Sequence, residues 1–445
     1  MSALAPEIEL ASRVMTLGVS GRVAALRGLT VLVDDLPLPS GAVVRFGSTG
    51  EEGEVVGFEG GRAIVMPFGS TTGLRAGEIA VGVSNEPYMR VGTRSLGRVV
   101  DAFGAPIDGR GAIHETERRA LYPPPISPMQ RRRITTPLST GVRAIDGLLT
   151  AGTGQRLGVF AGPGVGKSTL MGSMARHTSA DVNVIALIGE RGREVREFVE
   201  DALGEEGLER SVVVTATSDE SPLLRIRAFA AACSAAEYFR DRGADVMLMV
   251  DSVTRFAQAQ RQVGLAAGEP PATKGYTPSV FAMLPRLLER AGAVEGVGSV
   301  TGFYTVLVEG DDMTEPIADA ARGVLDGHIV LSRRLARLGH FPAIDPLDSI
   351  SRVADEVCDA GHIAARREVL RLLAAYSEVE DLVQIGAYAR GANARADVAI
   401  DLKEQIDAYL QQGSREPADL DGARAGLAEL ALEAGSRLSA AGTGA

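Results

Sequence analysis

Two rhythms of apolar residues divide the chain. Over residues 12–91 the apolar positions come in short β-prone runs, at 23–26, 29–33, 42–46, 54–58 and 62–66, with turn residues at 37–39, 47–50 and 60–61 between them. Strands this short, recurring about every 8–12 positions, predict a small barrel or sandwich. From about 136 to 353 the rhythm lengthens. Apolar strand candidates at 157–161, 182–188, 211–216, 246–250, 298–308 and 328–331 alternate with helical stretches at 171–177, 194–203, 222–241 and 279–291. Strand–helix alternation predicts a parallel sheet with helices on both faces. From about 355 to 438 the pattern is helical throughout. Val369, Leu370 and Leu373 share one face of a helix over 364–376, and Ile400, Leu402, Ile406 and Leu410 line another over 398–412. A third, Ala-rich helix is expected over 420–438, with the small residues 439–445 fraying beyond it.

Between the first two blocks lies a connector. It runs from Gly97 through Gly104 into Pro123, Pro124, Pro125 and Pro128, a stretch too extended to join either neighbour. The 445 residues allow two to four domains at roughly 100–200 each. Hydrophobic residues make up 45%, aromatics only 4% with no Trp, so the cores must be built from Ala, Val, Leu and Ile.

Net charge is −11, which argues against a nucleic-acid surface. The one basic run, Arg131 to Arg133, reads as a solvated face or linker. Cys233 and Cys358 are far apart and show no metal spacing with the five histidines, so neither a disulfide framework nor a zinc site is expected. No leader opens the chain, and no apolar run approaches the ~18 residues of a membrane span. Any membrane contact is expected to be peripheral or through a partner.

The chemistry concentrates in the middle block. Residues 157–170 form a strand, a Gly-rich turn and a helix start. Gly162, Pro163, Gly164, Val165, Gly166, Lys167, Ser168 and Thr169 make the turn. Its glycines let backbone N–H groups curl inward onto phosphate oxygens. Lys167 brings a cation to the outer phosphates, and Ser168 offers a hydroxyl to Mg²⁺. Ala161 stands where the strict pattern has its first glycine, and a residue that small can serve there.

An acid is expected at the end of a second buried strand, and Asp251 closes the apolar run 246–250, placed to hold the Mg²⁺ shell. Glu190 and Arg191 follow the apolar strand ending at Ile188. Glu190 could orient an attacking water and Arg191 touch the terminal phosphate; the bland alternative is a charged helix start. Asp311 and Asp312 are candidates for sensing that phosphate or for capping a loop.

At this point the residues resemble a known family. Gly275-Tyr276-Thr277-Pro278-Ser279-Val280-Phe281, the run from Leu284 to Gly292, Thr254 to Arg261, Gly268 to Gly275, Glu309 to Met313 and Asp326 to Arg333 are similar to the type III secretion ATPases, most of all the flagellum-specific export type. That family is a relative of the catalytic subunit of rotary ATP synthases. The resemblance covers about residues 15–412.

It implies that Lys167 meets the β- and γ-phosphates, Glu190 polarises the attacking water, Arg191 lies beside the γ-phosphate, Asp251 is the Walker B acid and Arg255 supports the phosphate site. It places Phe341 against adenine and Arg352 as an arginine finger in the neighbouring subunit's site. ATP and Mg²⁺ are the implied substrate and cofactor. A homohexamer is the implied assembly, with a stator-like regulator at the N-terminal segment, stalk proteins, and export substrates with their chaperones as partners. The implied location is cytoplasmic, peripheral at the inner-membrane export gate.

Injectisome secretion and a rotary ATP synthase subunit are the alternatives, the latter disfavoured by the 275–292 stretch. An RNA-translocating ring would want a basic, aromatic N-terminal domain, whereas residues 1–95 hold only Phe46, Phe58, Phe68 and Tyr88 as aromatics. The expected architecture is α/β. A small N-terminal β-barrel occupies 1–92. A RecA-like P-loop domain with a parallel sheet occupies 93–354, including the connector 93–135. A C-terminal helical domain occupies 355–445.

Overall fold

The computed structural model describes residues 18–308, 310 and 312–442. Asp311 of the sensor pair, residues 1–17 of the region expected to meet a regulator, and the last three residues of the tail lie outside them.

Six antiparallel strands, β1 (Ser20–Arg27), β2 (Thr30–Asp34), β3 (Val43–Phe46), β4 (Glu52–Glu59), β5 (Arg62–Pro67) and β6 (Ile79–Ser84), close into a barrel in the order β1-β2-β5-β4-β3-β6. Pleat alternation turns Val23, Val44, Val55 and Ala80 inward, and with Val31, Val33, Phe46 and Val65 they fill the interior. Closure leaves no edge unpaired, which resolves the barrel-or-sandwich question.

The central sheet comprises β7 (Arg98–Val100), β8 (Arg156–Ala161), β9 (Val182–Ile188), β10 (Ser211–Ala216), β11 (Asp245–Asp251), β12 (Ser299–Leu307), β13 (Gly327–Leu331) and β14 (Ile344–Ser351). Their order is β14-β13-β8-β12-β11-β9-β10-β7, and Gly292–Ala293 pairs to β12 off this path. All neighbours on the path are parallel except β13 and β14. The inner strands β9 and β10 are buried at every position, which explains their continuous apolar runs.

Two strands were not legible. β7 comes from the connector, which thus contributes an edge strand beside β10. β14 carries Pro346 and four polar residues, a composition that only an edge strand tolerates. Within the connector, Arg131 is not a solvated residue. Its guanidinium donates to the carbonyls of Ala291 and Glu289.

The helices that position the site are α1 (Lys167–His177), α2 (Gly192–Glu197), α3 (Pro222–Arg240), α4 (Val253–Ala266) and α5 (Pro316–Val324). A π-helical turn, Phe198–Leu203, follows α2 and interrupts the helix expected over 194–203. Barrel and sheet meet at a buried arginine. Arg227 of α3 lies 4.4 Å over the Phe103 ring, donates to the carbonyl of Tyr88 and sits 3.7 Å from Glu54 of the barrel.

The C-terminal helices α6 (Ala360–Gln384), α7 (Ala394–Leu410) and α8 (Leu420–Gly442) pack Val369, Leu373, Leu402, Ile406 and Leu427 onto Ile145 and Leu148. α8 runs past 438, so the first residues of the expected fraying tail are helical. Among the described residues no helix is long and apolar enough to cross a membrane.

Candidate active site

The site forms where parallel strands end, because there the chain must leave the sheet and side chains face solvent rather than neighbours. β8 runs into the glycine turn and α1 begins at Lys167. Gly164 and Gly166 adopt φ of 75° and 91°, left-handed values that only glycine takes without strain. Val165, buried between them, anchors the turn to the core, while Pro163, Gly164, Ser168 and Thr169 are exposed.

β11 delivers Asp251 next to the lysine. Lys167 Nζ lies 2.5 Å from Asp251 Oδ1 and 3.9 Å from Glu190 Oε1. Thr305 Oγ1 donates to the same Asp251 oxygen at 2.7 Å. Asp251 is 2% exposed, so its charge depends on these two donors.

Glu190 leaves β9 beside it, and its carbonyl accepts from Ser218 N at 3.0 Å. Burial, the Asp251 carboxylate and a hydrogen bond shared with Glu194 push the Glu190 carboxyl up to about 7, against the pull of Lys167 and Arg255. Burial raises Glu194 as well, but the Glu190 hydrogen bond, the Arg191 backbone N–H and the Arg191 charge outweigh it and hold that carboxyl below its usual range. Of the two acids, Glu190 keeps the proton and Glu194 the charge. A carboxyl poised near neutrality in a cleft is suited to exchanging a proton with water.

The expected arginines fall in three different places. Arg255, in the first turn of α4, packs along Gly189 and interacts with Glu190. Its Nη1 reaches Gln258 at 3.4 Å, but its buried Nε has no hydrogen-bond partner among the described residues. Arg191 points outward, 80% exposed, with Nη1 2.9 Å from Glu194. Arg352 is exposed and follows the last residue of β14; its backbone N–H bonds Asp326 O at 3.0 Å and its Nη1 bonds Leu325 O at 3.3 Å. That is the start of β13, whereas the glycine turn lies beyond the far ends of β13 and β8, roughly 15 Å away at about 3.3 Å per strand residue. Arg352 is therefore not gathered into its own chain's site.

Phe341 is. With Gly164, Gly166, Thr169, Gln412 and Ser414 it lines a cleft of about 440 Å³. A Cβ on Gly166 would stand 3.5 Å from the Phe341 ring, so ring and turn are in contact range. The cleft's other wall is the segment after α7. Gln412 N donates to Phe341 O at 3.0 Å. The Gln412 side chain is consumed by Gly141 O, Glu416 O and Arg143 N. An exposed ring face beside a phosphate-type turn suits a stacked base.

Glu194 was missed from sequence although its partners Glu190 and Arg191 are local; Thr305, Gln412 and Arg225 were missed as well. Arg225 of α3 bonds Gln262 at 3.2 Å, lies close enough to Arg255 to feel its charge, and also leaves a buried Nε unpartnered. Each of these last three depends on which strand or helix is the neighbour, and no local spacing carries that. Asp312 accepts from Thr314 N at 2.9 Å, the loop-capping role.

Comparison with known proteins agrees with this geometry. Residues 20–82 match the ATP synthase alpha/beta family beta-barrel domain and 141–351 its nucleotide-binding domain. Residues 358–429 match the C-terminal domain of the T3SS EscN ATPase. The Flagellum-specific ATP synthase of Bacillus subtilis is 54% identical over 377 residues, 85% of this chain and 86% of that protein. The Type 3 secretion system ATPase of Xanthomonas euvesicatoria is 50% identical over 413 residues, 91% and 93% respectively. The structure of the assembled ATPase EscN in complex with its central stalk EscO, from the enteropathogenic E. coli type III secretion system, superposes with a TM-score of 0.86 at 42% identity, covering 92% of this chain and all of that one. Identity at this level across barrel, nucleotide-binding domain and helical domain means that the chain is an ATPase and belongs to the family of flagellum-specific and type III secretion ATPases.

Proposed function

We propose that this ATPase drives protein export through a flagellar type III secretion apparatus, working as a homohexameric ring that releases and unfolds chaperone-bound substrates. The observation that carries the ring is the position of Arg352. One chain holds the phosphate turn, Lys167, Asp251 and Glu190, yet its Arg352 stands exposed at the opposite end of β13. A finger that cannot serve its own site is useful when an identical neighbour receives it.

Within each site Lys167 would hold the β- and γ-phosphates, and the backbone N–H groups of residues 164–169 would cradle them. Asp251 and Ser168 supply the hard oxygen donors that Mg²⁺ prefers, and a buried carboxylate now balanced by Lys167 fits that ion. Bound Mg²⁺ supplies charge neutralisation on the phosphates. Glu190, once it has lost its own proton to solvent, would orient the attacking water and take up its proton, with Glu194 staying charged beside it. Arg255 would meet the γ-phosphate. Arg191 would swing there from Glu194, a cheap move because an exposed ion pair contributes only about 0–1 kcal/mol. Phe341 would stack on adenine.

The EscN–EscO structure supports a stalk partner for this chain too, and the helical region from 355 onward would face stalk, substrates and chaperones. The region up to residue 92 would meet a stator-like regulator and neighbouring subunits, placing the ring peripherally at the cytoplasmic export gate. Injectisome relatives at comparable identity keep virulence secretion as the second reading.

The test of the ring mixes two inactive variants, Lys167→Ala and Arg352→Ala. Interfaces that pair an intact turn with an intact finger should restore ATPase activity. A mixture as inactive as its components sinks the ring. For export, a Lys167→Ala copy should fail to restore secretion of flagellar proteins in a cell lacking the wild type. Normal secretion would refute the coupling.

A further inference from the structure

Arg352 has a companion. Arg322 occupies the last turn of α5, three residues before Leu325, whose carbonyl holds the Arg352 guanidinium. Both arginines flank His328, the second residue of β13, and both act on its ring electrostatically. The ring itself is held by two other contacts. It packs edge-on against Phe160 at 5.8 Å between centroids and bonds Asp348 O through Nε2 at 3.1 Å. Burial and the two cations hold the His328 imidazole below its usual range, so it stays neutral and adds no third charge. Arg322 makes no hydrogen bond or ion pair among the described residues, and with His328, Ser332 and Asp348 it lines an open cleft of about 430 Å³ beside the edge strand β14. Arg322, Arg333 and Arg334 outnumber the one lining carboxylate, Asp348, in this cleft, which reaches Gly162 of the chain's own turn; with Arg352 also acting on His328, they form an anion-seeking edge.

We infer that Arg322 is a second arginine acting in trans, presented with Arg352 to the nucleotide phosphates of the neighbouring subunit. The proposal rests on the ring reading above. The competing account is local: a cation in the last turn of α5 favours the helix dipole, which would give Arg322 a purely structural role.

Mixing experiments on full-length variants separate these accounts. Arg322→Gln alone should lower kcat on the order of 10²-fold, the scale of losing one preorganised donor to a phosphoryl transition state. Mixed with Lys167→Ala it should recover activity, because some interfaces pair an intact turn with an intact edge. Mixed with Arg352→Ala it should recover nothing, since every interface then receives one damaged edge.

Recovery in the Arg322→Gln and Arg352→Ala mixture would show that Arg322 serves its own chain's site and would overturn the proposal. So would a wild-type rate for Arg322→Gln. Ring mass is measured alongside. If Arg322→Gln fails to assemble while Lys167→Ala and Arg352→Ala still complement each other, Arg322 belongs to the seam rather than the phosphates, and the proposal falls while the ring stands. If that reference pair does not complement, the ring reading itself has failed.

Discussion

Two buried charge clusters in this molecule are built from the same residue types to opposite effect. Arg290 sits against Glu237 with both carboxylate oxygens at 2.6–2.7 Å, and its remaining N–H groups reach Leu121 O, Ala230 O and Ser234 Oγ. All five donors of that guanidinium are in use. At the nucleotide site, Arg255 and Arg225 each leave a buried Nε unpartnered, and Glu190 is lifted to about 7. The first cluster is saturated and joins α3, the connector and the segment before β12 into one body. The second is under-satisfied among protein groups, a condition that a polyanionic substrate relieves. The contrast holds between these two clusters and is not a general rule, because Arg227 at the barrel junction also leaves Nε and Nη1 unpartnered.

Substitutions should split along that line. Glu190→Gln is expected to lower kcat by about 10²–10⁴-fold, the usual weight of a general base, while nucleotide binding persists. Its stability effect carries a definite sign. A carboxyl raised from 4.5 to about 7 on folding binds more protons folded than unfolded, so its contribution worsens as pH climbs between those values. Above pH 7 the variant should therefore melt no lower than wild type, and a clear fall in its midpoint would make Glu190 structural. In wild type, kcat/KM should rise with pH through about 7, and this limb should vanish in the variant.

Arg290→Met should do the reverse. Leaving Glu237 buried and uncompensated costs about 3–5 kcal/mol, read as a lower denaturation midpoint, with the turnover of the remaining folded protein near normal. A stable but inactive Arg290→Met protein would erase the distinction. Phe341→Ala should raise KM roughly fivefold, as expected for a lost stacking contact of about 1 kcal/mol, and leave kcat within about twofold. The smallest effect sharpens the comparison by filling the unsatisfied cluster. Gln262→Glu offers Arg225 a carboxylate, and should add up to about 1 kcal/mol of stability while slowing turnover several-fold. Faster turnover would show that the shortage of acidic partners there has no bearing on catalysis.

How much of this was legible follows from what is local. The glycine turn and Asp251 are written in contiguous residues, because a phosphate cradle needs glycines within one turn and an acid at the end of one buried strand. Glu190 was visible as a position but not as a proton holder, since its state depends on Asp251, sixty-one residues away, and on Glu194 folding back. β14 escaped because Pro346 and its polar neighbours suit an edge and break the alternation that marks a strand. Arg225 and Thr305 gave no signal at all. Their roles exist only after α3 packs on α4 and β12 pairs with β11. The family resemblance supplied Phe341 and Arg352, and the structure then placed one beside the glycine turn and the other away from it.

The base cleft has a mechanical consequence. One wall belongs to the nucleotide domain and the other to residues 412–414 at the end of α7, fastened by the contacts of Gln412 and Arg143. On the proposed reading a bound base touches both walls. By thermodynamic reciprocity, any load on the helices that parts these walls must loosen the nucleotide by the same free energy with which the nucleotide resists the load. Load on the helices and occupancy of the cleft are then two readings of a single variable.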